Sequence, residues 1–488
     1  MQTPSNRLWL ALYLPQLPLQ CAATGLGNGQ ASVVYETRNG RQNVFRLDSE
    51  AVRAGIEPGM PLTAARALCH ELIAIESDPE RERAALHGLA LWALQFTSQV
   101  SLEPPYGLIL EIGASLGLFK GLDAIRQRIA SGLDEMRYEA HTGVAPVAAA
   151  AWLLALHRQS QTVTRHGELA GALRPLPLAL LPIDAEKKTA LYRLGLKSIG
   201  DCLRLPRDGL GQRLGPELLD TLDRTFGRAA DPREFHAVPE RFEAQILLPQ
   251  PVDRVEPLLF VLQRLLRQLG GFLHARDAGT QCLRLGLIVP RQSIEYLQLT
   301  LLQPGRDPDH LFKLWQERLE RHRLRAPVEG LELRVTRLLP LAPPSSDLLG
   351  TPRKATVAFT QTLERLRNRL GDRVIRQPLC TADHRPERCG MQADFPVPTR
   401  PFAPDPGIQR PLWLLPQPRP LQQTHDGGPY LQGPLTLLTG PERIESGWWD
   451  GGGQRRDYYI ARSGRQQRLW IYRDLGKPPQ WFLHGFFA

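Results

Sequence analysis

Between residues 238 and 340 the chain changes its hydrophobic period repeatedly, in a fixed order. FEAQILLP alternates as a strand does. VEPLLFVLQRLLRQLGGFLHAR repeats its apolar residues every three to four positions, and TQCLRLGLIVP and EYLQLTLLQ alternate again. HLFKLWQERLERHRL returns to the helical period, and EGLELRVTRLLPL alternates once more. Apolar residues at period two share a face only in a strand, and those near period 3.6 only in a helix. The stretch is therefore constrained to β-α-β-β-α-β.

That order belongs to a small ferredoxin-like unit. Upstream, about 160 residues interleave strands and helices as an α+β domain does. A strand over 7–20 ends in a proline-rich turn. The hairpin SVVYET-RNGRQ-NVFRL turns on Asn39-Gly40. The short helix DSEAVRAGI is entered through Asp48 or Ser49, and PLTAARALCHEL forms the next helix. A long amphipathic helix covers about 80–99, a strand carries Leu110-Glu111-Ile112, and a helix spans 121–135. YEAHTGVA then feeds the alanine-rich helix APVAAAAWLLALHR. Residues 165–230 are short helices broken by Pro and Gly. A proline-rich tract from about 377 to 430 reads as a linker or extended arm. Beyond it the chain recovers strand character, and five of the nine tryptophans lie from Trp413 onward. This end reads as a small β-rich module.

With 488 residues the chain is too long for one core. No apolar run approaches the roughly 20 residues that cross a bilayer, and the N-terminus reads as a core strand in preference to a signal peptide. Six scattered cysteines without a CxxC pair argue against a zinc site and a disulfide framework, and suit a reducing cytoplasm. The net charge of +10 is carried mostly by arginine, whose fork matches phosphate oxygens, which suggests a polyanion partner. No P-loop, GxGxxG or HExxH is present, so no cofactor is expected.

Several blocks, in order, resemble the Y-family DNA polymerases. Asp48-Ser49-Glu50-Ala51-Val52-Arg53-Ala54-Gly55-Ile56, with Gly59-Met60-Pro61-Leu62 and Ala65-Arg66-Ala67-Leu68-Cys69, is similar to the family's fingers. Leu110–Gly121 and Thr142-Gly143-Val144-Ala145 match its palm, and Leu194–Asp201 its thumb. The resemblance covers about 1–340. It implies an α+β multidomain right hand: palm at 1–24 and 78–164, fingers at 25–77, helical thumb at 165–236 and ferredoxin-like little finger at 237–342. After these would come a linker and helix at 343–376, the proline-rich arm at 377–430, and a C-terminal β-rich protein-interaction module at 431–488.

The resemblance also implies where chemistry would sit. Two-metal nucleotidyl transfer needs carboxylates on both magnesium ions. The positions matching the family's first acidic motif are Leu12 and Leu14, and those matching its second acidic pair are Tyr106 and Gly107; only the last acidic position survives, as Glu111. The triphosphate-holding tyrosine, arginine and lysine match Ser49, Val52 and Ala148. The expectation is an active site emptied of its chemistry, with no catalytic residue, metal or cofactor. The alternative is an active translesion polymerase with an unrecognised acidic site, for which Glu103 and Glu111 are the acids near the second motif.

Arg410–Leu414, Gly440–Gly451, Arg456–Ile460, Leu469–Tyr472 and Trp481–Gly485 resemble the tail of the non-catalytic, Y-family-like subunit of bacterial mutasomes. That likeness implies an adaptor in damage-induced mutagenesis and the SOS response, cytoplasmic and nucleoid-associated when active. Its partners would be the sliding clamp, an error-prone C-family DNA polymerase and a RecA-like accessory protein. The clamp peptide would be Ser345, Asp347, Leu348 and Leu349, a degenerate form of a QxDLF-like motif. DNA would be held without base specificity by Lys187, Lys188 and Lys197 in the thumb and by Arg264, Arg267, Arg276, Arg291, Arg321, Arg323 and Arg325 in the little finger. Glu442, Arg443, Trp448, Trp449 and Asp450 are the candidate partner contacts of the C-terminal module.

Overall fold

The computed structural model describes residues 7–22, 30–157, 161–341, 353–371, 374–394, 409–476 and 478–487. The chain divides into two units, Met1–Arg369 and Leu370–Ala488.

The first unit opens with β1 (Trp9–Tyr13) and α1 (Leu17–Ala22). The strand expected over 7–20 thus stops at Tyr13. Pro15 cannot donate to a ladder, while Pro18 falls in the first turn of α1, where a missing N–H costs nothing. The hairpin of β2 (Ser32–Arg38) and β3 (Arg41–Leu47) follows. Its turn residues Asn39 and Gly40 have φ of 50° and 73°, as a two-residue primed turn requires. Next come α2 (Ser49–Arg53), α3 (Leu62–Leu68) and β4 (Ile73–Glu76), which pairs parallel to β2. Asp48 starts α2, its carboxylate accepting from the Ala51 N–H at 2.7 Å. Val33, Val44, Leu47, Ile56 and Leu62 make a small core of their own here.

The chain returns through α4 (Pro79–Ala93), capped by Asp78, then β5 (Val100–Glu103), β6 (Gly107–Glu111), α5 (Leu116–Phe119), α6 (Leu122–Glu135), β7 (His141–Ala145) and α7 (Ala148–Leu156). The sheet order is β5-β6-β1-β7, antiparallel throughout. Leu8, Leu10, Leu12, Leu108 and Leu110 face α4 and α6, whereas Trp9, Ala11 and Ile109 face α7 and the helices after it. Those helices are α8 (Leu169–Leu173), α9 (Ala185–Arg193), α10 (Ile199–Arg204), α11 (Arg207–Leu214) and α12 (Pro216–Thr225).

The β-α-β-β-α-β block is β8 (Phe242–Val252), α13 (Val255–Ala275), β9 (Ala278–Ile288), β10 (Glu295–Gly305), α14 (Pro308–Leu319) and β11 (Val328–Val335), with β12 (Leu339–Pro340) beside β9. Its antiparallel sheet runs β10-β9-β11-β8, so each helical crossover steps over one strand. One face of α13 covers this sheet and another packs on α4. Gly271 permits that approach: a Cβ there would lie 2.2 Å from the Leu91 carbonyl oxygen and 2.6 Å from Trp92 Cα. The helix α15 (Arg353–Leu370) closes the unit, Glu364 accepting from the Leu302 N–H at 2.8 Å and bonding His310 Nε2.

The second unit holds a hairpin of β13 (Arg376–Cys380) and β14 (Gly390–Asp394), then β15 (Trp413–Pro420), the small pair β16 (Gln422–Gln423) and β17 (Pro429–Tyr430), and β18 (Thr436–Ser446), β19 (Gln454–Arg462), β20 (Arg468–Asp474) and β21 (Gln480–Phe486). Its main sheet runs β15-β21-β20-β19-β18. The tract read as an extended arm therefore supplies strands. Pro416, Pro418 and Pro420 lie in β15, an edge strand, and Pro378 lies in a two-stranded ribbon where every strand is an edge. Edges are where proline is tolerated in a sheet.

Candidate functional site

The two segments matched to the family's acidic motifs meet at one end of the first sheet. Leu12 is opposite Leu108, Tyr13 is opposite Gly107, and the Leu14 N–H donates to the Tyr106 carbonyl at 2.8 Å. Sequence positions about ninety residues apart thus converge, and the matched positions bring leucines, a glycine and one phenol but no carboxylate. Leu12 and Leu14 are completely buried. Gly107 is covered by Trp152 from α7, and Tyr13 meets that indole edge-on at 5.7 Å between centroids.

Acids in this part of the unit are engaged in bonds within the fold. Tyr106 is hydrogen-bonded to Glu82 of α4, which also accepts from Ser77 Oγ at 2.8 Å. Burial pushes the Glu82 carboxyl above the usual carboxylate range and the Tyr106 phenol up to about 12. Glu103 is ion-paired with Arg233, which also bonds Asp231 at 3.0 Å. Glu111 lies at the far end of β6, opposite Trp9. Its carboxylate accepts from the backbone N–H groups of Leu8 at 3.3 Å and Gly113 at 3.0 Å. It is a structural acceptor that ties the start of β1 to the end of β6.

Magnesium is held by converging oxygen donors. Leu12, Leu14 and Gly107 have none on their side chains, so this corner does not fit a magnesium pair. Among the described residues no group of three or more His, Cys, Asp or Glu side chains is placed to hold a metal ion. Of the positions matched to triphosphate contacts, Ala148 is buried at the start of α7 and Val52 is an exposed hydrocarbon on α2.

Residues 20–155 match the impB/mucB/samB family. Over 463 residues, 89% of this chain and the whole of the relative, the sequence is 28% identical to Protein ImuB of Caulobacter vibrioides (strain NA1000 / CB15N). The chain is ImuB-like. A DNA polymerase IV of Dehalococcoides mccartyi (strain CBDB1) is 31% identical over 176 residues, 34% of this chain and 44% of that one. Among solved structures, a Y-family DNA polymerase chimera and DinB from Sulfolobus solfataricus are similar at 16% identity. Each covers 68% of this chain and all of theirs, with TM-scores of 0.40 and 0.38. The ImuB-like chain has the α+β multidomain fold expected, with additional β-rich sheets at its C-terminal end.

The cations read as DNA contacts divide into two groups. Arg264 departs from the expectation. It is 6% exposed, facing the first sheet's helices, where it donates to the carbonyls of Met136 at 2.8 Å and Gln20 at 3.1 Å and lies 4.4 Å from the Tyr138 ring centroid. A helical period shows that a side chain shares a face with its neighbours but not that the face is covered by another element. Arg267 is likewise drawn inward, ion-paired with Glu135 and with Asp309 at 2.7 Å. Arg276 binds the Val238 and Pro239 carbonyls, and Arg321 those of Asn368 and Arg369. Lys187 is ion-paired with Glu217 at 3.0 Å, and Lys188 donates to the Ala179 carbonyl at 2.8 Å. Lys197, Arg291, Arg323 and Arg325 are exposed, and none has an ion pair among the described residues.

The clamp-peptide residues Ser345, Asp347, Leu348 and Leu349 lie outside the described residues. In the C-terminal unit, Trp448 and Trp449 are 82% and 58% exposed, their rings perpendicular with centroids 5.5 Å apart. Asp450, a candidate partner contact, is exposed and held by bonds within its own unit. Its two oxygens accept from Arg385 at 3.0 and 2.7 Å and from Arg388 at 2.7 Å, and one oxygen also accepts from the Gly452 N–H at 3.0 Å. The Arg385 guanidinium holds that carboxyl well below the usual range. Arg443 makes a fork onto Asp457 at 2.8 and 2.9 Å, and Glu442 pairs with Arg410. Arg385 is the residue sequence reasoning missed. It lies in a proline-rich tract with no periodicity, and only the fold brings it to Asp450.

Proposed function

We propose that the chain is a non-catalytic adaptor of damage-induced mutagenesis and translesion DNA synthesis. It links a sliding clamp, an error-prone C-family DNA polymerase and the RecA-like accessory protein ImuA at DNA. The likeness to ImuB supports the role in mutagenesis. One observation carries the non-catalytic reading: where Leu12, Leu14, Tyr106 and Gly107 meet at one end of the sheet, Leu12 and Leu14 are buried in the core on one face and Gly107 is covered by Trp152 on the other, so these four positions present no carboxylate. In this reading residues 1–24 and 78–164 are a palm that keeps its frame without its acids. Residues 25–77 are fingers, 165–236 a thumb and 237–342 a little finger.

The exposed cations Lys197, Arg291, Arg323 and Arg325 lie along DNA and make a salt-dependent contact without base specificity. Ser345, Asp347, Leu348 and Leu349 form the clamp peptide, and Trp448 and Trp449 anchor a protein partner, since exposed tryptophans are strong interface anchors. No helix among the described residues is long and apolar enough to cross a membrane.

Primer extension by the purified protein, with magnesium and then manganese and with DNA binding recorded alongside, tests the central claim. Binding without incorporation is expected. Incorporation abolished by Glu82→Gln or Glu103→Gln would overturn it. Capture of the clamp that is lost in Leu348→Ala/Leu349→Ala tests the linking role.

A further inference from the structure

The hairpin joining β19 to β20 places two arginines directly across from one another. Arg462 and Arg468 are cross-strand partners on one face, and Arg465 stands in the turn between them. Like charges directly opposite in a sheet are destabilising. All three side chains are exposed, and none makes an ion pair or hydrogen bond to a carboxylate among the described residues. Elsewhere in the same unit most arginines are neutralised locally: Arg385 and Arg388 by Asp450, Arg410 by Glu442, Arg443 by Asp457, Arg455 by Glu445 and Arg456 by Glu387. Among the described residues of this unit Arg419 and Arg473 also lack an ion pair, but this tip alone gathers three such arginines in one hairpin.

The tip is also held in one conformation. The Ser463 N–H donates to the Gln467 carbonyl at 3.0 Å and the Gln466 N–H to the Ser463 carbonyl at 2.9 Å, while Gln466 takes a φ of 63°. This is a three-residue hairpin loop with its last residue left-handed. The strands behind it are anchored by the stacked rings of Tyr458 and Trp470, 4.2 Å apart, and by buried Leu469 and Ala461. Three guanidinium groups are thus presented from a rigid ribbon, with only Gly, Ser and Gln between them.

We infer that this hairpin is a nucleic-acid contact separate from the little finger, binding the phosphate backbone of DNA through Arg462, Arg465 and Arg468. Guanidinium forks match phosphate oxygens, and a polyanion removes the repulsion that the cross-strand pair carries when unbound. No exposed aromatic ring lies on the tip, so the contact reads charge and not base identity. It does not depend on the adaptor reading.

The test uses the full chain with Arg462→Gln/Arg465→Gln/Arg468→Gln, beside Arg291→Gln/Arg323→Gln/Arg325→Gln as the little-finger control. Binding to labelled single-stranded and duplex oligonucleotides is titrated at several salt concentrations. The hairpin variant should bind roughly tenfold more weakly, and the slope of log affinity against log salt should shrink by about two, given 0.7–0.9 per phosphate contact. Its melting temperature should be unchanged or raised, because like charges have been removed. Unchanged affinity and slope, with the control variant impaired, overturns the inference and leaves the little-finger contact standing. A fall in melting temperature that accounts for the lost binding also overturns it, since the arginines would then serve the fold. Unchanged DNA binding accompanied by loss of an acidic protein partner overturns it in favour of protein docking.

Discussion

Trp152 occupies the space that a side chain on Gly107 would need: a Cβ built there would lie 2.2 Å from the indole Cη2. Gly107 is one of the positions matched to the family's acidic motifs, and the space above it is core packing.

Introducing acids at Leu12 and Gly107 should unfold this end of the sheet and create no metal-dependent activity. In Leu12→Asp/Gly107→Glu, one change puts a carboxylate into a completely buried position and the other displaces Trp152. The loss of core packing alone is about 2–5 kcal/mol, and burying an unpaired carboxylate adds to it, for a total of at least about 4 kcal/mol. Thermal denaturation is expected to show that loss and primer extension no product. A stable variant with magnesium-dependent incorporation would contradict this account.

Glu111→Ala should destabilise the first unit without touching any activity. The change leaves the Leu8 and Gly113 N–H groups without their acceptor, at a cost of about 1–3 kcal/mol. Chemical denaturation of the variant checks the magnitude. If stability were unchanged while nucleotide incorporation disappeared, Glu111 would be a catalytic group after all.

Arginines on the same domain should separate by burial. Arg264→Met loses two hydrogen bonds to carbonyls and a contact with the Tyr138 ring, and should cost about 2–3 kcal/mol while leaving the salt dependence of DNA binding unaltered. Arg323→Gln/Arg325→Gln should do the reverse, weakening DNA binding at an unchanged melting temperature. Binding isotherms at two salt concentrations, paired with melting curves, distinguish the two behaviours.

The C-terminal sheet should weaken in acid in two stages. His484 is fully buried against Tyr458 and Trp470, and burial pushes its pKa down from 6.5 to about 4. The unfolded chain then binds a proton that the folded chain refuses. Stability is complete above pH 6.5, falls as pH drops towards 4 and levels off below, by up to about 3 kcal/mol. Asp450 acts lower down. Arg385 depresses its carboxyl, so its contribution persists above about pH 4 and is lost on further acidification. Tryptophan fluorescence melts between pH 3 and 7 should show both stages, and His484→Gln should flatten only the upper one.

The periodic elements and their order were legible in the residue pattern alone. The β-α-β-β-α-β block, the Asn39-Gly40 hairpin and the Asp48 helix start are each written in residues a few positions apart, because hydrophobic period, turn conformation and capping are local properties. The residue pattern also contained the absence of acids at Leu12, Leu14 and Gly107, since side-chain identity needs no fold to be read. What a given polar side chain faces depended on long-range packing. Arg264 and Arg323 are alike in sequence, yet Arg264 on α13 is sealed against Met136 and Tyr138 at the end of α6, while Arg323, beyond the end of α14, stands in solvent. Asp450 is held by Arg385, 65 positions away and in a tract with no periodicity. Prolines that argued for an extended arm proved compatible with strands once those strands lay at sheet edges. Burial and ion pairing are set by contacts between distant segments, and local sequence carries no signal for a partner that only chain folding supplies.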